Sequence, residues 1–191
     1  MIYRGLIISF AITAATINLS GCAPLVIGGV AVGTASIIND RRTAGSVVDD
    51  QSIRISISSA LGKNEELVAQ AHINVASFNG VVLLTGEAPS EALRSQAGAL
   101  ARAEANVRRV HNEIRIAAPS SFMTRSSDSL ITSKVKASLI GTDGTRVKVV
   151  TENGTVYLMG LLYRNEADAV VKQAQQVGGV QRIVKVFEYL D

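Results

Sequence analysis

Val75, Asn79, Gly80, Val82, Leu84 and Gly86 return 74 positions later as Val149, Asn153, Gly154, Val156, Leu158 and Gly160, in the same order and spacing. A recurrence of this length means that one supersecondary unit is built twice, so each copy must find its own small core. In each copy an alternating apolar run leads into Asn-Gly and out into a second alternating run closed by glycine. That pattern predicts a β-hairpin with a tight turn, because Asn and Gly tolerate the left-handed backbone such a turn needs. Gly80, Gly86, Gly154 and Gly160 are accordingly read as structural turn glycines, and the two Asn-Gly pairs as turns rather than reactive elements.

The hairpins are framed in the same way in both copies. Ahead of each lies a stripe of apolar residues four apart, Ile53, Ile57 and Leu61 in the first and Ile131, Val135 and Leu139 in the second, which predicts a helix. Asp50 and Asp128 stand just before these stripes as candidate caps. Behind each hairpin come a second amphipathic segment, 90–105 and 164–177, and an alternating strand, 107–116 and 180–190. The fold class is therefore α+β, with two tandem αββαβ modules, each a three-stranded sheet with two helices on one face. The first module is set at 46–117, a serine-rich linker carrying Pro119 at 118–127, and the second module at 128–191.

The first 45 residues are of another kind. Arg4 precedes an apolar run, 6–17, that is too short to span a bilayer, and Leu19-Ser20-Gly21-Cys22 follows at once. This is the layout of a secretory signal, 1–21, ending at a cysteine to be acylated. Cys22 is the single cysteine, so no disulfide is possible and the fold rests on its core. The apolar, glycine-rich start of 22–45 reads as a flexible lipidated tether. Ala23, in place of aspartate after the cysteine, does not signal retention in the inner membrane, so outer-membrane sorting is expected.

Several chemistries are excluded by composition. Loss of Arg4 with the signal brings the formal charge from +3 to +2, which gives no whole-chain case for nucleic acid. Aromatic residues are 4% with no Trp, too few for a stacking platform. His72 and His111 stand alone with no partner at metal-ligand spacing, and Glu65-Glu66 and Glu166-x-Asp168 read as solvated helix ends or faces. No nucleophile elbow, phosphate loop or carboxylate pair is present, so the expectation is a non-enzyme with no cofactor, no metal and no small-molecule substrate.

Gly80-Val81-Val82-Leu83-Leu84-Thr85-Gly86 and Val107-Arg108-Arg109-Val110-His111-Asn112-Glu113-Ile114 resemble the BON domain, a small module of the bacterial envelope. The second copy keeps Gly154, Val156, Leu158, Gly160, Gly179 and Val180 but has Lys185 where the family has Asn. A lipidated cysteine followed by two such modules is similar to the dual-BON outer-membrane lipoproteins. That resemblance implies a protein of the outer membrane's inner leaflet that binds anionic phospholipid through its second module, supports envelope integrity and is enriched at division sites.

The residues bear on this independently, because positions on which two copies differ are candidates for function. The lipid-binding segment is set at Leu130, Ile131, Lys134, Val135, Lys136 and Ile140. Of these, Ile131 and Val135 belong to the core stripe, whereas Leu130, Ile140 and the two lysines fall on the outer face. Large apolar residues beside cations compose an interfacial helix. The matching positions of the first copy, Ser52, Ser56, Ser58 and Gly62, are small and uncharged. The competing reading makes this face a protein contact, with the chain an adaptor for outer-membrane protein assembly machinery.

Overall fold

The structure is a computed structural model that describes residues 40–191. The signal segment, Cys22 and most of the tether lie outside the described residues. The first module comprises α1 (Ala44–Gly62), a short α2 (Glu65–Gln70), β1 (His72–Phe78), β2 (Val81–Ala88), α3 (Glu91–Arg102) and a last strand in two pieces, β3 (Arg109–Asn112) and β4 (Arg115–Ile116). The second comprises α4 (Phe122–Ser138), a 3-10 turn (Asp143–Arg146), β5 (Lys148–Glu152), β6 (Thr155–Leu162), α5 (Arg164–Gln175) and β7 (Arg182–Tyr189). Both follow the αββαβ order. The first hairpin strand pairs antiparallel with the second, and the last strand returns parallel to it after a helix.

The turns explain the Asn-Gly pairs. Asn79 and Gly80 have φ of 53° and 73°, Asn153 and Gly154 of 48° and 69°, the left-handed pair that matches the twist of the flanking strands. Gly86 and Gly160 are different and correct the expectation: they lie inside β2 and β6. At Gly86 the backbone takes φ 113°, and an added Cβ would come 1.9 Å from the His72 carbonyl oxygen of the paired strand. Gly160 has ordinary φ, and its Cβ would meet only side chains, Val147 Cγ2 at 3.3 Å and Leu162 Cγ at 3.5 Å.

Both helices begin earlier than their apolar stripes, which corrects two further expectations. Thr43 caps α1 and Ser121 caps α4, each hydroxyl accepting from the backbone N–H three residues on. Residues 122–127 of the expected linker are therefore helical. Asp50 and Asp128 do not cap; each sits seven residues inside its helix, buried, with its carboxylate on the Asn-Gly turn. Asp50 accepts from the N–H groups of Asn79 (2.6 Å) and Gly80 (2.9 Å) and from the Ser77 hydroxyl. Asp128 accepts from Asn153 and Gly154, both at 2.9 Å. One aspartate per module thus ties helix to hairpin.

The exchange of Asn112 for Lys185 has a visible result. The Asn112 side chain donates to the Arg94 carbonyl (2.8 Å) and accepts from Ile114 N–H, which breaks the strand between β3 and β4. Gly98 makes room, since a Cβ there would lie 2.7 Å from Asn112 Nδ2. With lysine at the equivalent position, β7 runs unbroken through eight residues.

Each module has a core between helices and sheet, built on Ile53, Ile57, Val82 and Leu84 in one and on Ile131, Val135, Val156 and Leu158 in the other. The opposite faces of the sheets are apolar too. Ala76, Phe78, Val81 and Leu83 pack against Tyr157, Met159 and Val186, making a third core between the modules. The described residues therefore form four layers, helices, sheet, sheet and helices, with β2 buried along its whole length.

Candidate functional site

Helix α4 owes its placement to the stripe Asp128, Ile131, Val135 and Leu139, all buried against β5 and the rest of the second core. Ile131 and Val135 are 6% and 0% exposed, so they hold the helix and cannot meet a bilayer. This removes them from the lipid-binding set. At 3.6 residues per turn the opposite face carries Phe122, Met123, Leu130 and Ile140, exposed by 75%, 78%, 56% and 74%, with Lys134 and Lys136 bordering it on either side. Four of the eleven exposed large apolar side chains among the described residues lie on this helix or just past its end. Among the described residues neither lysine has an ion-pair partner.

Phe122 and Met123 were hidden by their assignment to the linker. The signal that finds them is Ser121 followed by apolar residues, a cap opening a helix whose buried stripe then continues through Asp128. At the other end Gly141, with φ 80°, stops the helix and leaves Ile140 outward. The contrast with the first module is smaller than the sequence suggests. Ser52, Ser58 and Gly62 are exposed on α1, but so are Val48 (66%) and Ile55 (54%). What α1 lacks is the pair of lysines.

A second cluster of polar residues lies between the sheets. Glu87, 1% exposed, accepts from Ser120 N–H (3.0 Å) and from the Asn153 side chain; Glu152, 4% exposed, accepts from the Asn74 side chain at 2.8 Å. Asn79 reaches Glu188 at 2.7 Å and Arg108 pairs with the same carboxylate at 2.9 Å. Each turn asparagine thus holds a glutamate of the other module. Burial pushes the Glu152 carboxyl above its ordinary range, the charges of Glu87 and Asp128 add to this, and the Asn74 hydrogen bond opposes it. The Glu87 and Glu152 carboxylates are buried and bound by amides, which suits a latch between modules rather than acid-base chemistry.

His72 opens β1 and His111 lies in β3, and among the described residues no group of three or more His, Cys, Asp or Glu is placed to hold a metal. No helix among the described residues is long and apolar enough to cross a membrane.

Comparison with known proteins agrees with this architecture. The BON domain profile matches residues 49–118 and again 127–191. The chain is 39% identical over 181 residues to the outer membrane lipoprotein DolP of Haemophilus influenzae, covering 93% of both chains. It is 38% identical over 154 residues to a 21 kDa hemolysin of Actinobacillus pleuropneumoniae, covering 79% of both, and 28% identical to osmotically-inducible protein Y of Escherichia coli over 73% of this chain and 72% of that one. With two matched modules and a DolP-like sequence over nearly its whole length, the chain belongs to the BON-domain family, among the dual-BON lipoproteins of the outer membrane.

Proposed function

We propose that the protein is a non-enzymatic membrane module that binds anionic phospholipid on the periplasmic leaflet of the outer membrane through the outer face of α4, in concert with acyl chains on Cys22. The observation that carries this reading is the exposed row Phe122, Met123, Leu130 and Ile140 bordered by Lys134 and Lys136. Each lysine near an anionic surface contributes about 1 kcal/mol, and each large apolar side chain about 1.5 to 3 kcal/mol if fully buried. Partial insertion gives weak, reversible contact, enough for a domain already tethered to the leaflet. Charge supports the choice of module. Residues 118–191 hold nine Lys and Arg against seven Asp and Glu, whereas 46–117 hold seven against eight. The role in envelope integrity and enrichment at division sites is carried by the resemblance to the dual-BON lipoproteins.

The test is a vesicle titration of the chain from residue 40 onward, followed by amide resonances, with zwitterionic lipid alone and with an anionic phospholipid added. Anionic vesicles are expected to perturb 122–140, and Leu130→Glu with Ile140→Glu to abolish this while the fold survives. Absence of any perturbation of α4 sinks the lipid reading. A partner protein whose binding to this face persists in high salt would instead favour the adaptor, since lysine-dependent lipid contact is screened.

A further inference from the structure

The described chain begins with a short strap, residues 40–43 at the end of the tether, that grips both modules. Arg42 serves the first module: its guanidinium pairs with Asp50 at 2.7 Å and with Asp40 at 2.6 Å and lies 3.9 Å from the centre of the Phe78 ring. Arg41 turns to the second. Its two terminal nitrogens meet Glu166 Oε2 and Oε1 at 2.5 and 2.6 Å, one of them also reaches the Leu161 carbonyl at 3.4 Å, and the guanidinium stacks 5.0 Å above the Tyr163 ring.

An isolated surface ion pair would deserve little weight. This one is two-pronged, its side chains are only 24% and 12% exposed, and carbonyl and ring contacts fix its direction. The receiving carboxylate is further held by Tyr163 N–H at 2.9 Å. Its location also matters. Glu166 lies in the first turn of α5, which packs on the 3-10 turn following α4, and Gln173 of α5 donates to the Ser138 carbonyl at the end of α4.

We propose that Leu161, Tyr163 and Glu166 form a docking site on the second module for the strap of the same chain, so that the lipid tether leaves the fold beside the C-terminal end of α4. Resting on the membrane reading above, the consequence is that anchor and helix address one leaflet from one module. Seventeen residues separate Cys22 from Asp40, a span of up to about 60 Å if extended. Over such a span the exit point sets how often α4 meets the surface, because effective concentration falls steeply once the linker exceeds the distance to be bridged.

The experiment uses the mature lipidated protein in vesicles of zwitterionic lipid with phosphatidylglycerol, carrying an environment-sensitive dye at Ser133→Cys on the outer face of α4. Arg41→Ala and Glu166→Gln are each expected to reduce the inserted fraction about tenfold, and Arg41→Glu combined with Glu166→Arg to restore most of it. In the unlipidated Cys22→Ser chain, Arg41→Ala is expected to bind vesicles as the parent does. Equal insertion of lipidated parent and Arg41→Ala overturns the role of the docking site. A parent that never inserts α4 overturns the membrane reading and this role with it. The docking itself is read without lipid, from nuclear Overhauser contacts between Arg41 and the Tyr163 ring, which Glu166→Gln is expected to erase; their absence from the parent overturns the site.

Discussion

Asp128 illustrates how much one buried side chain can carry. Its carboxylate satisfies the N–H groups of Asn153 and Gly154, and removing it leaves buried donors unpaired at about 1 to 3 kcal/mol each. Asp128→Ala is therefore expected to cost about 2 to 4 kcal/mol in denaturant unfolding, with Asp128→Asn milder because one acceptor oxygen remains. The sequence marked this residue as repeated but suggested the wrong role, since its partners lie 25 positions away and only the folded hairpin brings them together. The glycines separate likewise. Gly86→Ala is expected to destabilise by more than about 2 kcal/mol, through both the left-handed φ and the His72 carbonyl, whereas Gly160→Ala should stay within about 1 kcal/mol. Two acids set opposite pH responses. Hydrogen bonds from Arg41, aided by Tyr163 N–H and opposed by burial, hold the Glu166 carboxyl at about 2 against an ordinary 4.5. The stability it contributes is thus complete above 4.5 and lost as pH falls from there through 2, while carboxyl carbon shifts of the folded protein should report protonation only near 2. Glu152, raised mainly by burial, keeps its proton to higher pH folded than unfolded. Stability at this site falls as pH rises from 4.5 through that raised value, so Glu152→Gln should flatten this part of the pH–stability curve.

At the level of elements, α4 shows where sequence reading works and where it stops. Periodicity located the buried stripe, and comparison of the two copies singled out Leu130, Lys134, Lys136 and Ile140, all of which the structure leaves exposed. Periodicity is silent about the first turns of a helix, where serine and polar residues carry no stripe, so Phe122 and Met123 passed for linker. Their contribution can be measured. Phe122→Ser with Met123→Ser should weaken vesicle binding by roughly 30-fold or more, on the order of 1 kcal/mol or more for each side chain lost from the interface, with unfolding stability unchanged. Val135→Ala is the converse control: at 0% exposure it should cost about 2 kcal/mol of stability. The strands were legible in the same measure. Alternation and Asn-Gly placed both hairpins, but the break at Asn112 depends on Gly98 and Arg94 of a neighbouring helix, contacts that no local pattern records.

For the whole molecule, the pairing of the two sheets decides behaviour. Val81-Val82-Leu83-Leu84 and Val156-Tyr157-Leu158-Met159 are continuous apolar runs, the mark of strands covered on both faces. Read that way, they announce that neither module is complete alone. Leu83→Glu would put a charge into the seam between the sheets, where that residue is fully buried. The expected outcome is that one calorimetric unfolding transition splits into two as the modules part. The same seam fixes a direction. Because the helices of the two modules face away from each other across four layers, with roughly 10 Å per step, a molecule lying on α4 holds the α1 surface about 30 Å above the headgroups. Under the proposed binding mode the paired sheets become a riser that lifts Val48 and Ile55 clear of the lipid.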